Sequence, residues 1–575
     1  MSNDDGARLN DEVLARWEWF YRKGMIGRRD MLRAIAVAGG GAALSACAPA
    51  APAPSKPAES KPADAAAAKP ASAPAADPYG AAKPAAPAPA AKSGGKDIIN
   101  VAFNSDLPTL DPQMHNQRNG IIWQYHVNDN LGVRDPKTNR IVPHLATSWT
   151  PSSPTTWDVE LRKDVKFHNG DPFNAEVVKW NWERVINPDQ KSQQKGNHEA
   201  IKSVEVVSEF KVKVITNAPY PVFVERLQNF QFISPKVAKE KGDGWLAENL
   251  IGTGPYKFVE WKRDQYILSE RNDDYWGPKA AFKQFKYVVI PEPTTQIAEL
   301  LNGNIDVMRG LPTDQVDAIN KSGRAKATSK AILRVGFVRL DSMGRTGPNP
   351  FQDVRVRHAA NHAVDTDGII KSLQPGGART PALVNPLHFG FDPSIKAHEY
   401  DPEKAKKLLA DAGHPNGFDI TWNMTTSNIM PNFKAVFESM QQQLTKVGIR
   451  VKFNMVDART ADERGRAGTL GPMFETSWGS YSVFDADGIL WDMLHSSSPF
   501  TYWNNAEFDK IILEARSILE DDKRKALYAK AQQIVRDEAP MLFGWGWHQL
   551  WGVNSGVAWE PDADEIDKFY TAKPA

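Results

Sequence analysis

The alternation of apolar and polar positions starts abruptly at Ile98. Ile98-Ile99-Asn100-Val101-Ala102-Phe103 reads as a strand, and a polar loop from Asn104 to Pro112 follows it. Trp157-Asp158-Val159-Glu160-Leu161-Arg162 repeats with period two, Lys166 to Asp171 carries an Asn-Gly turn, and Ser203–Val207 with Lys211–Ile215 reads as a hairpin. Asn174 is placed to cap a helix over Ala175 to Arg184. Gly252, Gly254 and Pro255 form a tight turn feeding a strand over Tyr256 to Trp261, with the glycines expected to supply positive φ. Val354 to Val364 fits a helix. Asp401-Pro402-Glu403 opens another, with its acid at the N-terminus and its lysines further along, as the helix dipole favours. Met440, Leu444 and Val447 recur at helical spacing on a run from near Pro431 to Gly448, and Ile449 to Val456 alternates as a strand. The whole is mixed α and β, with many short strands.

Upstream of Ile98 that pattern is absent. Residues 48–96 are mostly Ala, Pro, Lys and Ser, without the aromatic and branched side chains that offset ordering entropy, so the composition predicts a disordered, partly polyproline-like tether. Before it, Arg28 and Arg29 precede an apolar run from Ala34 to Ala46, about the length of a signal-peptide core and well short of the roughly 20 residues that span a bilayer. The paired arginines resemble a twin-arginine export signal. Leu44-Ser45-Ala46-Cys47 resembles a bacterial lipobox, in which the Cys47 thiol takes a diacylglycerol and becomes the first mature residue. Residues 1–47 are thus read as a twin-arginine-like lipoprotein signal peptide. Asp30 and the acids before Arg28 depart from the ideal pattern and bear on the export route more than on export itself.

Composition narrows the function. A formal charge of +1 supplies no basic field for a polyanion, which excludes nucleic acid as the main partner. The roughly 480 residues after the tether exceed a single core, so more than one domain is expected. With one cysteine, no disulfide can form within the chain.

Several strings then occur in a telling order: Leu110-Asp111-Pro112, Ile141 to Trp149 (Ile-Val-Pro-His-Leu-Ala-Thr-Ser-Trp), Leu161 to Gly170, Asn174 to Val178, Gly252 to Tyr256, Asn272 to Trp276, Asp353 to Ala360, Tyr400 to Leu409 with Ala412-Gly413, and Gly448 to Val451. Together they resemble the large solute-binding proteins of bacterial ABC importers, family 5, which include dipeptide-, oligopeptide- and nickel-binding members. The resemblance implies an α/β, two-lobed periplasmic-binding-protein fold of type II, large cluster C type, with an extra subdomain inserted in lobe one. Carried over, lobe one takes residues 97–132, 251–336 and 541–575, the inserted subdomain 133–250, and lobe two 337–540. The crossings between lobes fall near Val335-Gly336-Phe337 and Pro540-Met541-Leu542. It further implies a monomer without cofactor, partnered by a small-molecule ligand and by the transmembrane subunits of an ABC permease, and attached to the outer face of a membrane by its lipid.

Catalytic patterns are missing: there is no His-Glu-x-x-His, no Gly-x-Ser-x-Gly and no phosphate loop. His358 and His362, four apart on a helix, lack a third ligand for a metal. Asp485-Ala486-Asp487-Gly488 lacks the remaining ligands of a calcium loop and reads as a helix cap. In peptide-binding members of the family, a Trp is followed three residues later by an Asp that pairs with the ligand's α-amine. Here Tyr481 stands three after Trp478, and Asp485 is displaced toward a helix start. An unpaired buried amine costs several kcal/mol, so an ordinary free-amine peptide fits less well. Trp545 and Trp547 alternate on a strand and point one way, either into the cleft as a flat wall for stacking or into the core, with Trp422 and Trp478 on lobe two. His115 and Asn116 face the cleft by carry-over. The expected solute is a peptide or peptide-like molecule. The alternative is an oligosaccharide or other non-peptide solute, with a nickel complex behind it and a secreted hydrolase as the remote reading.

Overall fold

The computed structural model describes residues 96–425, 432–479 and 483–575. Arg28, Arg29, Cys47, the tether and Tyr481 lie outside the described residues. Among the described residues no helix is long and apolar enough to cross a membrane.

One eleven-stranded sheet organises the body. Its strands are β1 (Ile98–Phe103), β2 (Tyr256–Lys262), β3 (Tyr266–Arg271), β4 (Gln284–Val289), β5 (Val307–Arg309), β6 (Ala325–Leu340), β7 (Ala378–Arg379), β8 (Phe418–Thr425), β9 (Ile449–Val456), β10 (Met473–Trp478) and β11 (Met541–Asn554). The order is β9-β8-β10-β6-β11-β5-β1-β4-β3-β2, with β7 beside β11. Among the described residues, β6 and β11, of 16 and 14 residues, are the only strands shared by both halves of this sheet. Their antiparallel register runs from Ala325↔Asn554 to Ala331↔His548, breaks, and resumes at Val335↔Gly546. Beyond the break Val335–Leu340 pairs with β10, while the far end of β11 pairs with β5. A bulge at this point bends the ribbon and frees Ile332, Leu333 and Arg334 from regular pairing.

Both sides of the break are held by burial. Val101, Trp123, Tyr256, Phe285 and Tyr287 fill one half, and Trp422, Val436, Met440 and Leu444 the other. Withdrawing each such side chain from water contributes about 2–3 kcal/mol. A separate four-stranded antiparallel sheet, Ala146–Ser153, Thr156–Leu161, Lys211–Thr216 and Ile201–Ser208, forms its own core around Trp157, Phe173, Trp182 and Val214. It falls within the expected insert.

The helices follow local chemistry. Ala175–Ile186 starts where the Asn174 side chain accepts from Val177 N, and Pro402–Asp411 where Asp401 accepts from Lys404 N. Gly252 and Gly254 are needed for a different reason than expected. Neither has positive φ. A Cβ on Gly252 would sit 2.0 Å from Val127 O, and one on Gly254 2.6 Å from Val127 C, so the turn needs close backbone approach, with Gly254 N donating to Val127 O at 2.9 Å.

Candidate functional site

At the register break lies a cavity of about 220 Å³. Its walls come from every part of the body. Asn116, Arg118 and Ile121 stand on the loop after β1 and on α1 (Arg118–Val127); Gln194, Asn197, Asn229 and Gln231 come from the insert region; Arg334 comes from β6, and Ser477, Trp478 and Gly479 from the end of β10. A second cavity of about 480 Å³ shares Arg334 and is walled by Asn119, Pro291, Pro293, Arg309, Trp547 and Glu565 among others.

Arg334 stands between the two. Its Nε donates to Glu565 Oε1 at 3.3 Å and its Nη1 to Ser477 Oγ at 3.2 Å, so one side chain ties the C-terminal segment to β10 across the bend. Glu565 adopts φ +61°, a left-handed conformation that costs about 1 kcal/mol or more and is sustained by its surroundings. Burial works against its ionisation, but Arg334, Arg118 and Arg309 outweigh it and hold the carboxyl below its usual range. Behind it, Arg309 Nε pairs with Asp567, which also accepts from Trp551 Nε1 at 3.1 Å.

The insert also touches the other half through residues outside the cavity lining. Glu225 Oε2 takes the Arg134 guanidinium at 2.5 Å and the Phe484 amide at 3.0 Å, while Arg134 Cζ lies 3.8 Å over the Phe484 ring. Val483 packs into the insert's core.

The residues expected to bind ligand divide. Asn116 and Trp478 line the smaller cavity; Trp478 Nε1 donates to Gly488 O at 3.0 Å, which fixes the ring. His115 is buried behind the wall. Gln117 N donates to its Nδ1 at 3.2 Å, its Nε2 meets the Gln124 carboxamide at 2.7 Å, and its carbonyl accepts from Gln194 Nε2 at 2.6 Å. Burial lowers its pKa to about 4, with Asp111 pulling the other way, so the ring stays neutral, and it is the backbone carbonyl rather than the ring that holds Gln194. Trp545 and Trp547, 3% and 4% exposed, belong to the buried core and border a narrow void with Phe437 and Met440, while Trp547 also borders the larger cavity. Two expectations need correction. Trp422 is fully buried, edge-on to Phe437 and Phe453 at 5.2 and 5.5 Å, and has no face left for a ligand. Asp485 is 4% exposed and already engaged: Oδ2 pairs with Arg524 Nη2 at 2.7 Å, and Oδ1 accepts from Tyr528 OH at 2.8 Å and from Asp487 N at 3.0 Å.

Arg118, Arg334, Glu565 and the insert's carboxamides were not anticipated. A signal existed for Arg334, the one charge within Ala331-Ile332-Leu333-Arg334-Val335-Gly336-Phe337, at the expected crossing. His358 and His362 do not form a metal site: His358 Nδ1 bonds directly to His398 Nε2 at 2.8 Å, and His362 Nδ1 meets Glu399 O at 2.7 Å. Among the described residues no cluster of His, Cys, Asp and Glu is arranged to hold a metal ion.

Two halves joined by a pair of long strands, with a polar-walled cavity where they meet, describe a two-lobed binding-protein fold. Comparison with known proteins gives the same class and names it. Residues 140–500 match the family described as bacterial extracellular solute-binding proteins, family 5 Middle. The chain is 31% identical over 478 residues to the glutathione-binding protein GsiB of Pectobacterium atrosepticum, covering 78% of this chain and 88% of that one. It is 31% identical over 438 residues to heme-binding protein A of Haemophilus influenzae, covering 70% and 78%. Among solved structures, the periplasmic binding protein DppA of Helicobacter pylori in complex with peptide STSA aligns with TM-score 0.71 at 26% identity, over 83% of this chain and 98% of that one. The chain belongs to the bacterial extracellular solute-binding proteins, family 5, the substrate-binding components of ABC importers, and is not an enzyme.

Proposed function

We propose that the chain captures a peptide or peptide-like solute outside the cytoplasmic membrane, closes over it at the β6–β11 bend, and presents it to its permease. The observation that carries this reading is the shared wall of the 220 Å³ cavity, to which both halves and the insert contribute. A ligand shifts an open–closed balance only through interactions that differ between the two states, and a residue such as Arg334, set in the bend and bonded to both sides, is where such a difference arises. The bend supports placing the lobe boundary at residues 331–335 on the outgoing strand and 546–548 on the returning one, the latter a few residues beyond the crossing expected near Met541. The peptide ligand is consistent with what the relatives named above bind: glutathione for GsiB and the peptide STSA for DppA.

The alternative solute, an oligosaccharide, is favoured by one observation. Five carboxamides and the Trp478 indole share the smaller cavity, a combination suited to hydroxyl groups and sugar faces. Calorimetric titration with peptide and oligosaccharide panels decides between them. Binding in the micromolar range, about −8 kcal/mol, is expected for one panel. Heat from sugars alone would reverse the order, and heat from neither, with nothing recovered from the cleft by mass spectrometry, would remove the receptor reading.

Anchoring rests on sequence. Cys47 is proposed as the lipidated residue and Arg28-Arg29 as the export signal. Cys47→Ser is expected to move the protein from the membrane to the soluble fraction, and an unmodified Cys47 thiol in membrane-bound wild-type protein would refute it.

A further inference from the structure

Resting on the receptor reading, we infer that Gln231 makes the insert a specificity element: its carboxamide donates a hydrogen bond to a carbonyl or hydroxyl oxygen of the solute in the smaller cavity.

The local sequence turns this side chain toward the cavity. In Asn229-Phe230-Gln231-Phe232, the two phenylalanines pack into the insert's own core, while the alternate positions, Asn229 and Gln231, line the 220 Å³ space. That is the period-two division of an extended segment. The backbone is clamped on both sides of Gln231. Phe230 N donates to Asn130 Oδ1 at 3.0 Å, Ile233 N donates to Asn181 Oδ1 at 3.1 Å, and Ile233 O accepts from Asn181 Nδ2 at 2.9 Å. Asn181 is buried and is itself held by Gln113 Nε2 at 2.8 Å. A donor carried on so fixed a support loses little further freedom when it meets its partner.

Gln231 is 4% exposed, and among the described residues that line this cavity it alone carries a buried side-chain atom without a hydrogen-bond partner, its Nε2. The polar groups around it are engaged within the protein. Gln194 Nε2 donates to His115 O at 2.6 Å, Asn197 Nδ2 to Gln194 Oε1 at 2.9 Å, and Arg334 to Glu565 and Ser477. An unpaired buried donor is unfavourable, and an oxygen on the solute relieves it where an apolar group does not. Two sources offer that oxygen: the main-chain carbonyl of a peptide and the hydroxyl of an oligosaccharide.

The test is calorimetry on the full chain, stripped of co-purifying solute, with the peptide Ser-Thr-Ser-Ala and with cellotriose as probes; the probe that binds distinguishes the sources. Gln231→Met replaces the unpaired donor by an apolar chain of similar length. It should weaken the bound probe about tenfold, while the Tm of the stripped protein stays the same or rises, because the variant removes a buried group that lacks a partner. Gln231→Glu sets an acceptor against the solute oxygen and should weaken binding at least as much. Wild-type affinity in Gln231→Met overturns the inference and leaves the receptor reading intact. So does weakened binding with a lowered Tm, which is the signature of a packing role. If neither probe binds, native mass spectrometry of wild type and Gln231→Met purified from the same host decides. Solute carried by wild type and lost from the variant supports the inference, equal carriage overturns it alone, and an empty wild-type cleft removes the receptor reading with it.

Discussion

Asp485 offers the sharpest separation between a ligand-binding and a supporting role. Its carboxylate is enclosed with Arg524, both 4% exposed, and it takes bonds from Arg524 Nη2, Tyr528 OH and Asp487 N at 2.7, 2.8 and 3.0 Å. Asp485→Asn keeps the shape and removes the charge, which leaves the Arg524 guanidinium buried beside a hydroxyl. Breaking one side of a buried pair costs about 3–5 kcal/mol. For a body of roughly 480 residues the unfolding entropy is about 1 kcal/mol/K, so the expected fall in Tm is about 3–5 °C. The Asp485→Asn/Arg524→Met double variant should recover most of it, since replacing both partners by uncharged groups is close to neutral. Scanning calorimetry measures the loss, and titration with the solute at 25 °C measures binding, which should stay within about twofold of wild type. If Asp485→Asn melts with wild type but binds a hundredfold more weakly, the carboxylate belongs to the site and the supporting assignment is refuted.

Three further outcomes are expected. Gly252→Ala puts a Cβ 2.0 Å from Val127 O and should cost about 1–3 kcal/mol in thermal melts, whereas Gly244→Ala, with nothing within 4 Å of the new Cβ, should cost little. Glu225→Gln loses the charge that holds both Arg134 and the Phe484 amide between the insert and the other half; solute dissociation measured by stopped flow should quicken about tenfold with the association rate unchanged, and an unaltered off-rate would show that this contact does not hold the closed state. Stability should fall on acidification. Burial lowers His115 and His168 to about 4, His126, His198 and His388 to about 3, and His398 to about 2, so the unfolded chain takes up those protons below its usual value near 6.5 while the folded chain does not. Glu475 and Asp492, pushed up by burial to about 7, and Asp562, to about 6, act in the opposite sense and offset about half of this. His358, His362, His495 and His548 are lowered by burial as well, and Asp129, Asp485 and Asp567 raised, so ten histidines stand against six carboxylates and the sign is kept; urea midpoints that do not move between pH 7 and 5 would refute it.

What was legible in the sequence and what was not differ by physical cause. Strands such as Ile98–Phe103 and Thr156–Leu161, and the capped helices behind Asn174 and Asp401, were readable because period and capping are local properties of adjacent residues. Gly252 and Gly254 were located but explained by the wrong cause. Their backbone angles are ordinary, and the constraint comes from Val127, more than a hundred residues away. The site shows the same limit more strongly. Trp422, Trp478, Trp545 and Trp547 are one residue type in one kind of context, yet Trp422 is core and Trp478 is cleft wall. Composition cannot separate them, because which face of β8 or β10 turns toward the cavity is set by strand pairing across the sheet. Asp485 misled for a related reason: its spacing suggested a displaced ligand carboxylate, while its partner Arg524 lies on a later helix, Asp521–Glu538. Arg334 is the exception. A charge inside an apolar run at the join between two halves is unfavourable unless the fold supplies a partner or a ligand does. Here Glu565 and Ser477 supply the partners, on opposite sides of the bend, which is why the charge is tolerated there.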